Sequence, residues 1–329
     1  MTSSRLHLVA ILRPAGLEAG AGRRGPGGPD ADFTLHHLAR VARTLERGVF
    51  DAALVAEAPG AAPAGIDPLT LLPALAMATE HLGLIAPAPA GLVEPAHVAR
   101  KFASLDRLTG GRAGWFAAAP GGAEDGAEAE ARVARAAEFL QVVTGLWRHW
   151  AAPAETPQPG RGHPVIVLDA ASPEARRLAA AQADLVVMDA PERDAARAIR
   201  AELTAQATAL GRAPDALRVL QKAALVLAAS EAEAADKARR IEAGAARPGP
   251  EAASAPLRVL GPPCAVADTL EAWWQEDACD GFALLIPPLT ACLDEVVDDL
   301  VPELRRRGLM PGAYAGRTLR SQLGLAEEA

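Results

Sequence analysis

The sequence predicts a (β/α)8 barrel. Three observations carry that prediction. Short apolar runs alternate with longer amphipathic segments along the whole chain. Eight such strand-type runs can be counted, each followed by a helix-type segment. A length of 329 residues accommodates a fold that takes about 250 before insertions. A doubly wound parallel sheet shows the same alternation over fewer strands and is the alternative architecture. The chain reads as one domain spanning residues 1–329.

The elements follow in order. "LHLVAIL" (6–12) is the first strand. "DFTLHHLARVARTLERG" is its helix, with Asp32 as cap, Leu35, Leu38, Val41, Ala42 and Leu45 at helical spacing, and Gly48 as the stop. "AALVAE" (52–57) is the second strand, and "DPLTLLPALAMATEH" its helix, capped by Asp67 with Pro68 in the first turn. "LGLIAPA" and "EPAHVARKFASLDRL" form the third unit, and "RAGWFAA" is the fourth strand. A Gly/Ala/Glu loop leads to a helix in which Phe139, Val142, Val143, Leu146, Trp147 and Trp150 make an apolar stripe. After the Pro-rich "AAPAETPQPGRG" come "HPVIVLDA" with "SPEARRLAAAQA", then "LVVMDA" with "PERDAARAIRAELTAQATALG". The seventh strand lies in "LRVLQKAALVLAA", followed by "SEAEAADKARRIEAG". "AARPGPEAASAP" reads as a flexible break, "PPCAVADTLEAWWQED" as a further helix, "GFALLIP" as the eighth strand and "LDEVVDDLVPELRRRG" as the closing helix.

Composition excludes several functions. The chain is 50% hydrophobic and 22% charged with a formal net charge of -8. No Lys or Arg run stands out beyond the short "RRR" (305–307), which argues against nucleic acid or an anionic membrane as partner. Cys264, Cys279 and Cys292 are not spaced as C-x-x-C, so they read as reduced thiols of a cytoplasmic protein, with no metal site. The apolar N-terminal run is too short for a signal-peptide core or a membrane span. No dinucleotide fingerprint, phosphate-binding P-loop or nucleophile elbow occurs; "GAGRRGPGG" does not run straight from strand into helix.

Strand C-terminal ends are where this fold carries its chemistry. Glu57, Asp169, Asp189 and Lys222 fall at or near such ends. They form either a polar site with Glu57 or Asp169 as base, or an ion-pair network. Ser172 precedes a helix and serves as its cap or as a phosphate ligand, two uses of one geometry. Trp115 and Phe116 are core or a plug over the mouth, with Phe116 assigned to the mouth. His97 belongs to a scaffold helix and His36-His37 to a helix surface. His163 lies at the barrel bottom. Trp273 and Trp274 are one buried and one boundary indole.

Several segments resemble the luciferase-like flavin-dependent monooxygenases, nearest the nitrilotriacetate monooxygenase branch. They are "ERGVFDAALVAE", "DPLTLLPALAMATEHLGLIAPAPAG", "EPAHVARKFASLDRLTGGRAGW", "AAEFLQVVTGLWRHW", "HPVIVLDAASPEARRLAAAQADLVV", "GPPCAVADTLEAWWQEDACDGFALLIPP" and "VPELRRRGLMPGAYAGRTLRSQLGL". The resemblance implies a TIM barrel, dimerisation through barrel helices, and oxidation of a small organic substrate by reduced FMN and molecular oxygen. A separate flavin reductase supplies the flavin. It also marks Glu57, Pro89, Ala90, Phe116, Ala119, Ala171 and Ser172 as flavin-pocket positions.

Most of these positions lack the family's side chain. The second strand ends in Ala56-Glu57 where the family has Ala-Asp. The Thr/Ser-rich turn after the third strand is Pro87-Ala88-Pro89-Ala90-Gly91 here. The family's Asn-Val-Val-Thr-Ser is Phe116-Ala117-Ala118-Ala119-Pro120, and a family Tyr aligns with Val133. Gln-Ala-Gly-Ala-Ser becomes Leu168-Asp169-Ala170-Ala171-Ser172, in which Ser172 alone keeps its hydroxyl. The chain is also trimmed before "GHPVIV" and after "RRIEAG". Each lost hydrogen bond to a charged group removes about 1.5–3 kcal/mol, so the expectation is an eroded flavin pocket with weak or absent FMN binding. The resemblance thus leaves two functions: a two-component monooxygenase using reduced FMN, or a catalytically silent paralogue. The latter would be the partner subunit of an active homologue, in a heterodimer rather than a homodimer, or a small-molecule-binding protein.

Overall fold

The structure is a computed structural model and describes residues 5–12, 34–56, 67–91, 93–117, 127–149, 163–213, 215–244, 256–286 and 289–326. Nine parallel strands are present among them: β1 (His7–Leu12), β2 (Ala52–Val55), β3 (Gly83–Pro87), β4 (Ala113–Phe116), β5 (Val165–Asp169), β6 (Leu185–Met188), β7 (Arg218–Leu227), β8 (Leu257–Gly261) and β9 (Gly281–Leu285). Eight of them close a ring, because β1 to β7 pair in sequence order and β9 bridges β7 to β1. This is the expected (β/α)8 barrel, and the closed ring removes the doubly wound alternative.

The ninth strand is a correction. β7 is 10 residues long. Its first half pairs with β6, whereas Ala223–Leu227 pairs with β8, which begins just after the segment read as a break. β8 therefore prolongs the sheet above the end of β6 on the same edge of β7. Its burial is uneven, with Arg258 exposed, so it lacks the continuous apolar run that marks a barrel strand.

Side chains alternate across the barrel wall. Val9, Ile11, Leu54, Ile85, Val167, Val187, Leu220 and Leu285 fill the interior. Leu8, Ala10, Leu84, Trp115, Ile166, Val219 and Phe282 face the helices. The helices are α1 (Leu35–Arg47), α2 (Pro68–Ala76), α3 (Pro95–Thr109), α4 (Ala127–His149), α5 (Pro173–Gln182), α6 (Arg193–Ala209), α7 (Glu231–Gly244) and α8 (Pro263–Gln275). The closing segment runs as α9 (Leu289–Glu295), a π-helical turn (Val296–Leu300) and α10 (Val301–Arg306), where the sequence suggested one uninterrupted helix. Asp67 caps α2 as expected, accepting from Thr70 N at 2.8 Å. Thr34, not Asp32, caps α1; Asp32 lies outside the described residues. α1 ends at Gly48, but Val49 takes the positive φ of 58°. On α4 the buried face is Ala136, Phe139, Leu140, Val143 and Trp147, while Val142 is exposed and Trp150 lies outside the described residues.

The floor, at the strand N-termini, is built from charged groups. Asp51 directly precedes β2 and accepts the N–H of Leu8 in β1 at 2.8 Å, with Arg5 bound to its other oxygen. Asp184 precedes β6, accepts from Ile166 N at 2.9 Å, and is bound by both terminal nitrogens of Arg320 at 2.8 and 3.1 Å. Asp280 precedes β9, accepts from Val219 N at 2.8 Å and from Arg200 Nη2 at 2.7 Å. Arg112 holds the matching place before β4, donating to the carbonyls of Leu82, Ala76, Thr79 and Thr109 and to the hydroxyl of Thr79. Leu319, Leu323 and Leu325 stopper the barrel from below, around the short α11 (Leu319–Gln322). Gly281 has no room for a side chain: a Cβ would stand 2.0 Å from the His7 carbonyl oxygen. His163 sits on this floor, stacked on Trp147 at 5.8 Å, as its position before β5 predicts.

Breaking a buried ion pair strands the surviving charge and costs about 3–5 kcal/mol. Asp184→Ala is expected to lose about that much stability at neutral pH, read from urea unfolding. Burial pushes the Asp51 carboxyl upward, but His7, Arg5 and the Leu8 N–H more than offset it and leave its pKa below the ordinary value. Its contribution is therefore complete above the ordinary carboxylate range and is lost as the pH falls through the depressed value. Acid unfolding of Asp51→Asn should be correspondingly flatter than that of the wild type.

Candidate ligand site at the barrel mouth

The opposite end of the barrel carries a different set of groups. The inward rows of β3 to β6 end in Pro87, Phe116, Asp169 and Asp189, and Lys222 stands at the same level midway along the longer β7. Ala56 and Ala224 flank them against the interior core. Three charged side chains thus stand at one level on three successive strands, beside a wall that is otherwise apolar among the described residues.

Each is positioned from behind. Met188 and Gln221 are register partners, which sets Asp189 beside Lys222. Lys222 Nζ lies 3.1 Å from Asp189 Oδ2, while Asp189 Oδ1 is buried without a hydrogen-bond partner among the described residues. Gln221 points outward and is fully buried. Its amide clamps Ala190, accepting from the N–H and donating to the carbonyl, both at 3.1 Å, and so fixes the turn that carries Asp189. Asp169 Oδ1 accepts the N–H of Ala171 at 3.2 Å. Ser172 Oγ accepts the N–H of Ala175 at 3.1 Å and caps α5. The first turns of α5 also hold Glu174, paired with Arg177 at 2.9 Å, and Arg176, paired with Glu202 at 2.9 Å.

The positions singled out in the sequence are distributed unevenly. Phe116 lies half-buried on the interior core, whereas its neighbour Trp115 is wholly buried on the helix side. Trp115 Nε1 donates to the Ala88 carbonyl at 2.8 Å and pins the turn after β3. In that turn Pro89 is exposed and Ala90 packs into the helix-facing core. Ala171 is exposed and Ser172 half-buried. Glu57 and Ala119 lie outside the described residues. His97 and His36 are exposed on their helices and His37 is half-buried. Trp273 is buried and Trp274 half-buried, as expected. No group of three or more His, Cys, Asp or Glu among the described residues could hold a metal ion. No described helix is long and apolar enough to cross a membrane. Sequence reasoning missed Gln221, whose only signal was a polar residue inside an apolar strand. A separate groove of about 430 Å³ in the helical layer, lined by Pro263, Cys264, Asp299, Pro302, Glu303 and Arg306, involves no strand end.

Comparison with known proteins gives this barrel its family. The pattern described as luciferase-like monooxygenase matches residues 14–255. The chain belongs to that family. It is 28% identical to nitrilotriacetate monooxygenase component A of Aminobacter aminovorans, over 98% of this chain and 97% of the relative. Both subunits of the pristinamycin IIA synthase of Streptomyces pristinaespiralis also match. One is 31% identical over 98% of this chain and 96% of its own length; the other is 35% identical over 49% and 65%. The crystallised EDTA monooxygenase of Chelativorans sp. BNC1 superposes with a TM-score of 0.87 at 27% identity, covering 98% of both chains. The alignment to the nitrilotriacetate enzyme extends over 440 positions against 329 residues here. This luciferase-like barrel is accordingly a shortened one.

Gln221→Leu removes the clamp on Ala190 and leaves a buried N–H and C=O without partners. The expected cost is about 1–3 kcal/mol, measured by denaturant unfolding.

Proposed function

We propose that this chain is a luciferase-like barrel that binds a small organic molecule at its mouth and does not use FMN in the family's manner, a catalytically silent paralogue. One observation carries the reading: the anchoring groups at the start of α5 are satisfied from within. A flavin phosphate is a dianion and needs open N–H groups, hydroxyls or cations at a helix N-terminus. Here the Ala171 N–H faces the Asp169 carboxylate and the Ala175 N–H faces Ser172. Arg176, Arg177 and Lys222 are each held by an acid of the chain itself. An added negative charge about 4 Å from Asp169 meets a repulsion between about 1 kcal/mol in water and about 4 kcal/mol at a protein surface. These residues do not fit an FMN phosphate.

The remaining family positions support the same reading. Pro89, Ala90, Phe116, Ala119 and Ala171 offer no side-chain hydrogen bond to a flavin, and Glu57, two residues beyond β2 in the sequence, is a further acid. A silent barrel of this kind has a place beside an active homologue, as homodimer or heterodimer. The matching of both pristinamycin IIA synthase subunits to this chain is consistent with a paired arrangement.

A second reading rests on the length of the family match. On it the chain is a two-component monooxygenase that takes reduced FMN from a flavin reductase and oxidises a small organic substrate with molecular oxygen. The likeness to nitrilotriacetate monooxygenase component A over 98% of the chain favours it.

The purified protein is expected to be colourless, and to add nothing to the oxygen uptake of a flavin reductase turning over FMN. A yellow preparation, or oxygen uptake that rises in proportion to added protein, supports the monooxygenase and removes the silent paralogue.

A further inference from the structure

We propose that Asp169 selects the ligand of the mouth: it shuts out molecules bearing a phosphate and leaves the site open to their neutral counterparts. The inference rests on the reading of the mouth as a ligand site and adds the residue that sets its charge preference.

Position comes first. Asp169 ends β5 in the inward row above Val167, opposite Val187 on β6. It stands where the barrel interior meets the start of α5, so a ligand seated over the interior and reaching toward that helix passes its carboxylate. Through Oδ1 it also takes the Ala171 N–H, removing the nearest main-chain donor from service. One side chain thus both adds a negative charge and withdraws a partner for an anion.

The neighbouring strand ends do not reverse this. Among the described residues at the mouth Lys222 is the inward cation, and it is committed to Asp189 at 3.1 Å. Asp189 keeps one buried oxygen without a partner among the described residues, an acceptor suited to an N–H or O–H of a ligand. Phe116 and Pro87 offer an apolar face to a flat ring. The ligand class is therefore a neutral, flat heteroaromatic molecule with a hydrogen-bond donor at its edge.

Riboflavin and FMN make a matched pair of probes, since they differ only by the phosphate. Fluorescence-quenching titration of the full chain should give a riboflavin affinity about tenfold or more above that for FMN. Asp169→Asn keeps an oxygen for the Ala171 N–H and removes the charge; it should tighten FMN by about tenfold and leave riboflavin unchanged. Asp169→Ala, which also frees the N–H, should tighten FMN at least as much. If riboflavin stays preferred in both variants by the wild-type ratio, Asp169 is not the selector, and the mouth as a ligand site still stands. If neither flavin binds the wild type or either variant, the inference falls together with the reading beneath it. A wild type that binds FMN as tightly as riboflavin overturns the exclusion of phosphate directly.

Discussion

Closure of this barrel depends on charged residues placed directly before alternate barrel strands. Asp51, Arg112, Asp184 and Asp280 precede the second, fourth, sixth and eighth strands of the ring. Each aspartate accepts a backbone N–H from the preceding barrel strand, one step below the ladder, and so prolongs the ladder through a side chain. Arg112 does the converse, donating to carbonyls left over where α2 and α3 end. Buried charges are costly unless paired and fully hydrogen-bonded. Here the pairing comes from elements remote in sequence: Arg5, Arg200 and Arg320. The terminal segment is thereby made part of the barrel. Arg320 cannot reach Asp184 without seating Leu319 beneath the interior, where Gly83 and Gly114 leave space for it.

A floor fixed in this way frees the other end for chemistry, the usual division of labour in the fold. The mouth is held by side chains that point away from it. Trp115 fixes the turn after β3 through the Ala88 carbonyl, and Gln221 fixes the turn after β6 through Ala190. The residues that point inward at the mouth can therefore change without loss of the barrel. That separation explains how a chain can keep nearly full-length similarity to nitrilotriacetate monooxygenase component A while its mouth carries Asp169, Asp189 and Lys222.

On the proposed reading, electrostatics decides what the mouth accepts. A helix N-terminus attracts anions only while its N–H groups are open. In α5 they are capped by a hydroxyl and approached by a carboxylate of the same loop. The lysine that could restore a positive field is paired across one strand spacing. If the mouth excludes phosphate as proposed, the same local geometry that caps α5 is what makes it a poor phosphate cradle, and stability and recognition conflict at this turn.

The sequence by itself determined the eight barrel strands, the helices between them and the cap at Asp67, because apolar periodicity and short-range hydrogen bonding are local; at Ser172 the sequence allows a cap or a phosphate ligand. It also placed Asp169 and Asp189 at strand ends, since position within a strand-helix unit fixes which end a residue occupies, whereas Lys222 lies midway along the longer β7. The pairing of Lys222 with Asp189 was open to two readings, because register between β6 and β7 is not local. Only the tertiary structure decided the rest. β8 is a strand because the long β7 offers it an edge, whatever its weak pattern. Trp115 and Phe116 are adjacent in sequence, yet one is buried against helices and the other faces the interior, since the pleat turns neighbours to opposite sides. Gln221 and the floor carboxylates act through contacts tens to hundreds of residues away, and no local pattern encodes a partner at that distance.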